Sequence, residues 1–184
     1  HPTLRRQRQM CIRDRYNLAY DNWSPDFTRL PRLADLANKN PGVTVIVNHL
    51  GGKIDPSADE EELRVWREAI DSVAACSNTV RKLGGAQMRV GDWEPPYHMH
   101  KADSPWDSDK FLSTLLPRYQ YAFEKFGPDR CMFESNFPVD KDCISYRTLW
   151  NLFKKMATKL GLSESEKMSV FSGTAARAYR LDQP

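Results

Sequence analysis

The chain has 184 residues, of which 40% are hydrophobic and 28% charged, as expected for one soluble domain with its own core. No apolar run is long enough for a transmembrane helix, and the N-terminus lacks the apolar segment of a secretion signal. The four cysteines, at positions 11, 76, 131 and 143, have neither metal-site spacing nor the density of a disulfide scaffold. We therefore expect free thiols, a cytoplasmic location and no membrane partner.

The net charge of +3 resides in the first fifteen residues. Residues 1–15 contain five arginines and one acid, Asp14, so the rest of the chain is close to neutral. A basic arm can bind nucleic-acid phosphates, but no basic stripe follows it. Residues 5–14 (RRQRQMCIRD) can also be encoded by the adapter of a transposase-based sequencing library, as in a translated metagenomic read. We expect residues 1–15 to be a non-native tail, residues 16–184 to form the domain, and no nucleic-acid partner.

From residue 16 onwards, strand-like and helix-like segments alternate four times. Strands are predicted at 16–20, at 43–47, from 78 to the KLGG string at 82–85, and at 130–133. Apolar residues at helical spacing predict a helix after each strand, with Pro117 expected to kink or divide the third, and a capping-box pattern from Ser163 to Glu166 opens a last helix. A polar, aromatic loop at 87–108 suggests a functional loop.

Four such units predict an α/β fold with a parallel sheet covered by helices. Polar or glycine-rich residues follow each strand. In a TIM barrel these strand ends build the active site, and in a doubly wound sheet they line the ligand crevice. Periodicity alone leaves both architectures open.

The strings YDNW, VNHLGG, KLGG, CMFESNFPVDK and FSGTAARAYRL, in this order, resemble the amidohydrolase-related family, and more narrowly its lactonase-like members. The resemblance covers nearly all of residues 16–181. It implies the C-terminal half (strands five to eight) of a (β/α)8 TIM barrel, without the first-strand HxH pair. It also implies a hydrolase acting on a small-molecule carbonyl substrate, such as a sugar lactone, with a divalent, zinc-like metal in the full-length parent. A decarboxylase of the same superfamily is the alternative.

His49 follows the second predicted strand and precedes two glycines. From the residues alone, it could ligate a metal, orient a water or polarise a carbonyl, or be a core histidine bonded to backbone. The resemblance implies an active-site histidine.

Asn136 stands where many relatives resemble GSDWP, and an amide is a poor base and a weak metal ligand, so the substitution argues against metal-bound water. A turn asparagine is the alternative. Glu134 and Asp140 could supply a carboxylate instead, although we expect structural or solvent-facing roles.

Asp21 and Lys82 are two further candidates. Asp21 is either a base or substrate-binding group, or the cap of the turn at Ser24 and Pro25. Lys82 lies among apolar neighbours, and a cation facing a barrel mouth could hold a carboxylate or an oxyanion. The family's similar KLSG string favours this role in binding a carboxylate or an oxyanion.

The loop at 87–108 contains the last candidates. His98 and His100 look like a metal pair, but we expect them to face solvent, with His98 able to touch substrate. Trp93, with Tyr97 and Trp106, could form an aromatic wall over the site, and loop packing explains these rings equally well.

These features predict that the parent protein opens a small cyclic ester. Water activated by His49 or a carboxylate attacks the carbonyl, and Lys82 or a metal stabilises the oxyanion. The competing hypothesis is that this chain alone does no chemistry, because a half barrel lacks the groups of strands one to four and leaves two strand edges unpaired.

Overall fold

The computed structural model describes residues 12–13, 18–55, 57–86 and 106–181. In these ranges, four strands form one parallel sheet in the order β1-β2-β3-β4. The strands are β1 (Tyr20–Asn22), β2 (Val45–Val47), β3 (Thr79–Leu83) and β4 (Cys131–Phe133). Each strand lies beside its predecessor, as consecutive strands do in a β/α barrel. The predicted parallel α/β architecture is confirmed.

Six α-helices lie within residues 18–55, 57–86 and 106–181. They are α1 (Leu30–Asn38), α2 (Glu60–Ala74), α3 (Ser108–Phe126), α4 (Tyr146–Lys159), α5 (Glu164–Met168) and α6 (Thr174–Tyr179), and a π-helical turn, Ser169–Gly173, joins the last two. The capping box predicted at Ser163 and Glu166 is confirmed. The helix α3 runs through Pro117 undivided, since buried side chains on both sides of it, such as Leu115 and Tyr119, hold it against the core.

The two faces of the sheet carry different side chains, because successive strand residues point to opposite sides. On the face covered by α1 to α4, the side chains of Val45, Val47, Arg81 and Leu83 are fully buried in the main core or next to it. On the opposite face, Ile46 and Met132 form a smaller cluster with Ala178 of α6, against which Val80 and Ala175 pack. The short helix α6 therefore covers the face that carries Lys82.

Two predictions about the environment can be compared with the fold. The three described cysteines, Cys76, Cys131 and Cys143, are buried and free, as expected. Within the described ranges, no helix combines the length and apolarity needed to cross a bilayer.

Candidate active site

Polar side chains from all four strands, or from the residues directly after them, form one continuous cluster. Lys82 of β3 places its Nζ 3.2 Å from Asp21 Oδ2 on β1 and 3.6 Å from Glu134 Oε2, directly after β4. The other carboxylate oxygen of Glu134, Oε1, lies 2.5 Å from Nδ1 of His49, which follows β2. We call Asp21, His49, Lys82 and Glu134 the polar cluster. The side chains of its last three members are 15%, 16% and 17% exposed, so water screens their interactions only in part.

The backbone after β2 aims His49 at Glu134. His49 and Leu50 have positive φ values, 51° and 57°, which side-chain-bearing residues seldom adopt. Such strain often occurs at functional sites. The ring of Trp23 meets the imidazole edge-to-face, with the ring centroids 6.1 Å apart. The side chain of His49 is thus held between an aromatic ring and a carboxylate.

The two glycines after His49 serve packing against the helices. A Cβ on Gly51 would lie 2.8 Å from Leu30 Cδ1 and 2.9 Å from Ile70 Cδ1, and one on Gly52 would lie 2.8 Å from the Phe27 backbone nitrogen. Both contacts are too short for a side chain. The tight turn expected from the sequence is present. Because its glycines have no side chain, Leu30 of α1, Ile70 of α2 and the backbone at Phe27 can pack directly against it.

Tyr179, the last residue of α6, completes the cluster. Its hydroxyl donates a hydrogen bond to Asp21 Oδ2, and Nζ of Lys82 lies 5.5 Å from the centroid of its ring. Burial acts to lower the pKa of Lys82, but the side-chain contact with Tyr179 and the charges of Glu134 and Asp21 raise it overall. Burial and the bond to Asp21 raise the pKa of Tyr179 to about 12. Both groups are therefore protonated at neutral pH.

The sequence-predicted residues divide into those inside the cluster and those outside it. The structure brings Asp21, His49 and Lys82 together through Glu134. Asp21 does not cap the following turn: Asp26 does, its carboxylate accepting from Thr28 N at 3.0 Å. His98 and Trp93 lie outside the described residues, so their substrate-binding roles stay predictions.

Asn136 makes a different contact from the one expected of a catalytic group. Its Nδ2 donates to Asp140 Oδ1 at 2.7 Å, and the Asp140 side chain is fully buried. Its φ is 51°, a conformation that asparagine tolerates better than most residues. The catalytic role of Asn136 stays a prediction, while its amide has a clear structural role in the turn after β4.

The sequence did not indicate that Glu134 contacts His49 and Lys82, and it did not single out Tyr179. Glu134 was expected in a structural or solvent-facing role, because nothing in the string FESNFP says which residue faces His49. The only signal for Tyr179 is its place in the closing string FSGTAARAYRL, which carries no chemistry by itself.

The described residues do not by themselves fit a divalent metal. Among them, no group of three or more His, Cys, Asp or Glu side chains is arranged as metal ligands. In the polar cluster, the Lys82 ammonium lies between the two carboxylates, and Nδ1 of His49 is engaged by Glu134. A bound cation would have to compete with this ammonium. The prediction that His49 ligates a metal stays a prediction.

The family follows from comparison with known proteins. The model of the amidohydrolase family matches residues 24–181. The chain belongs to the amidohydrolase family. A crystal structure of an amidohydrolase from Burkholderia multivorans with bound zinc aligns with a TM-score of 0.76 at 25% identity, covering 95% of this chain and 57% of that one. The predicted partial TIM barrel is thereby confirmed.

Two curated relatives of this amidohydrolase are also similar in sequence. An uncharacterized protein of Sinorhizobium fredii is 34% identical over 155 residues, which are 84% of this chain and 45% of that protein. The L-fucono-1,5-lactonase of Burkholderia multivorans is 28% identical over 158 residues, which are 85% of this chain and 49% of the lactonase. The chain spans about half the length of the curated relatives it matches.

Proposed function

We propose that this amidohydrolase chain is part of an enzyme that hydrolyses a small lactone and thereby opens its ring. The observation that carries the proposal is the polar cluster, in which one carboxylate, Glu134, contacts both a largely buried ammonium and an imidazole. The cluster lies at the carboxyl ends of parallel strands, where barrel enzymes place their catalytic groups. The similarity to a sugar lactonase supports the same class of substrate.

The residues of the cluster can carry out each step of ester hydrolysis. When Nδ1 of His49 donates to Glu134, the lone pair is on Nε2, which takes a proton from the attacking water. The new C–O bond turns the carbonyl oxygen into an oxyanion, which the Lys82 ammonium stabilises by about 3 kcal/mol or more. The ring C–O bond then breaks, and the leaving alkoxide takes the proton from the His49 imidazolium. The product is a hydroxy acid.

A divalent metal, when bound, supplies a Lewis acid and a more acidic water. In the polar cluster both carboxylates face Lys82, and His49, with Nδ1 engaged by Glu134, could bind the metal through Nε2 only in place of its role as base. We therefore propose that the other ligands of a zinc-like metal come from residues outside the cluster.

We also propose that the chain needs a complementary half barrel for activity. The curated relatives are about twice as long, and the described sheet has four strands where a closed barrel of this kind has eight. An open sheet leaves the face carrying Lys82 without the strands that would enclose a substrate.

Acid release from a panel of sugar lactones, followed at constant pH with zinc present, tests both proposals. The chain is assayed alone and mixed with the N-terminal half of the Burkholderia multivorans lactonase. We expect activity only in the mixture, and its loss in Lys82→Met but not in Lys155→Met, a lysine that pairs with Asp109 on the surface. Equal activity with both variants would contradict the role of Lys82. Activity of the chain alone would contradict only the need for a second half, and carbon dioxide release from aromatic acids would support a decarboxylase instead.

A further inference from the structure

Tyr179 reaches the polar cluster because of its position on α6. Ala175, Ala178 and Tyr179 follow one another at i, i+3 and i+4, so they share one side of the helix. The two alanines pack on the sheet face that carries Ile46 and Met132. Their small side chains let the helix lie close to the strands, and this brings the tyrosine ring over Lys82.

The helix α6 is tied to the chain just before β4. The backbone carbonyl of Asp129 accepts hydrogen bonds from Thr174 Oγ1 at 3.1 Å and from an Arg177 guanidinium nitrogen at 2.9 Å. Since β4 also leads into Glu134, one rigid connection places both Tyr179 and Glu134 relative to Lys82. The approach of the phenol is therefore built into the fold.

Lys82 faces charged or titratable groups from three elements. Asp21 comes from β1, Glu134 follows β4 with His49 behind it, and Tyr179 comes from α6. The two carboxylates pair with the ammonium at 3.2 and 3.6 Å, and the Tyr179 ring lies on a further side of it. Tyr179 is the neutral neighbour, and it contacts both members of the Asp21–Lys82 pair, because its hydroxyl donates to Asp21 while its ring lies against the Lys82 ammonium.

We propose that Tyr179 is a positioning residue of the active site, which holds the Asp21 carboxylate and the Lys82 ammonium in one fixed arrangement. The proposal rests on the proposed function, in which this ammonium stabilises the oxyanion. Without the hydroxyl, Asp21 loses its second donor besides Lys82, and the pair loses the contact that fixes it. The ammonium then turns more freely and loses its proton at lower pH.

The test compares Tyr179→Phe with a matched variant, Tyr146→Phe, whose exposed ring on α4 packs on Phe137 and Trp150. Trace acetylation by acetic anhydride over a range of pH, quantified by mass spectrometry on the peptide containing Lys82, reports the titration of this lysine in the chain as it is. We expect Tyr179→Phe to lower the pKa of Lys82 and to speed its labelling at neutral pH by about two- to tenfold, the value of one hydrogen bond. Tyr146→Phe should label like the parent chain.

Unchanged Lys82 labelling in Tyr179→Phe, with an unchanged unfolding midpoint, would overturn the proposal. The labelling needs no activity, so it gives an answer even if the lactone assay fails. In an active mixture, Tyr179→Phe should lower kcat more than it changes KM, and should move the alkaline limb of the rate profile to lower pH. A rise in KM alone would mean that Tyr179 binds substrate directly and would also overturn the positioning role.

Discussion

Nδ1 of His49 and Oε1 of Glu134 lie 2.5 Å apart although the residues are 85 positions apart in the chain and follow strands that are not neighbours. The strand between them, β3, is followed directly by Gly84 and Gly85. A Cβ on Gly85 would lie 2.6 Å from His49 Cγ, and one on Gly84 would overlap the Glu134 side chain. Because the two residues after the middle strand have no side chains, a gap is left there in which the imidazole and the carboxylate come into contact. We call this gap the window.

The variant Gly85→Ala tests this window. Its φ of 64° costs any side-chain-bearing residue about 1 kcal/mol, and the new methyl group must also displace the His49 ring. Gly161→Ala is a matched control, because Gly161 has a φ of 69° and no atom within 4 Å of its Cβ position. In urea unfolding, we expect Gly85→Ala to lower the free energy of unfolding more than Gly161→Ala does, by about 1 kcal/mol or more.

Equal losses in the two variants would mean that His49 moves aside without cost. In that case the glycine pair would be explained by backbone conformation alone, and the contact with Glu134 would not depend on it.

Glu134→Gln tests the part played by the carboxylate in the proposed reaction. The amide keeps the shape but removes the charge that orients His49 and pairs with Lys82, so lactone opening by the complemented chain should fall about 100-fold. The control is Glu124→Gln on α3, where the carboxylate accepts from Gln120 at 2.9 Å on the helix surface. If Glu134→Gln opened the lactone at the same rate as the parent chain, Glu134 would have no part in the mechanism.

The order of strands and helices could be predicted because each element carries its own hydrophobic period. The bounds of β1 could not: a strand is predicted at 16–20, and the structure has β1 at Tyr20–Asn22. Its start is set by pairing with a distant segment, since Tyr20 N donates to Thr44 O and Asn48 N to Asn22 O. This register moves Asp21 from the end of the strand into it, beside Lys82.

The candidate site could be predicted only in part. Asp21, His49 and Lys82 were found because polar residues at the ends of parallel strands converge. Glu134 and Tyr179 were not, for two different reasons. Glu134 faces the site because it lies two residues after Met132 on β4, whereas Asn136 turns away in a left-handed conformation. The contact of Tyr179 depends on how α6 folds back over the sheet, which no local pattern shows.

Arg81 is expected to destabilise the fold, because its charge is fully buried. None of its three guanidinium nitrogens has a hydrogen-bond partner in the part of the chain that the structure describes. Burial lowers its pKa to about 10, and the Trp66 and Phe126 rings, 5.8 and 5.7 Å away, offset only part of the cost. We expect Arg81→Met to raise the free energy of unfolding by about 1–4 kcal/mol in urea titrations.

The surface variant Arg32→Met controls for the loss of one positive charge and should change the free energy of unfolding by less than about 0.5 kcal/mol. A less stable Arg81→Met chain would contradict the expectation. It would show that the two aromatic contacts outweigh the desolvation of the guanidinium.

Asn136→Asp introduces the aspartate that the family resemblance implies for this position, and it should destabilise this chain. The Nδ2 donor would become a second carboxylate oxygen 2.7 Å from the buried Asp140, a cost of about 2 kcal/mol or more at pH 7. Repulsion raises the folded-state pKa of the pair above its unfolded value. The loss is therefore full above the folded pKa and fades as the pH falls and the pair takes up a proton. The double variant Asn136→Asp with Asp140→Asn recreates one donor and one acceptor, so urea unfolding should show most of the stability recovered at pH 7. Failure of the double variant to recover it would mean that Asp140 is held by its other contacts and that Asn136 is not its necessary partner.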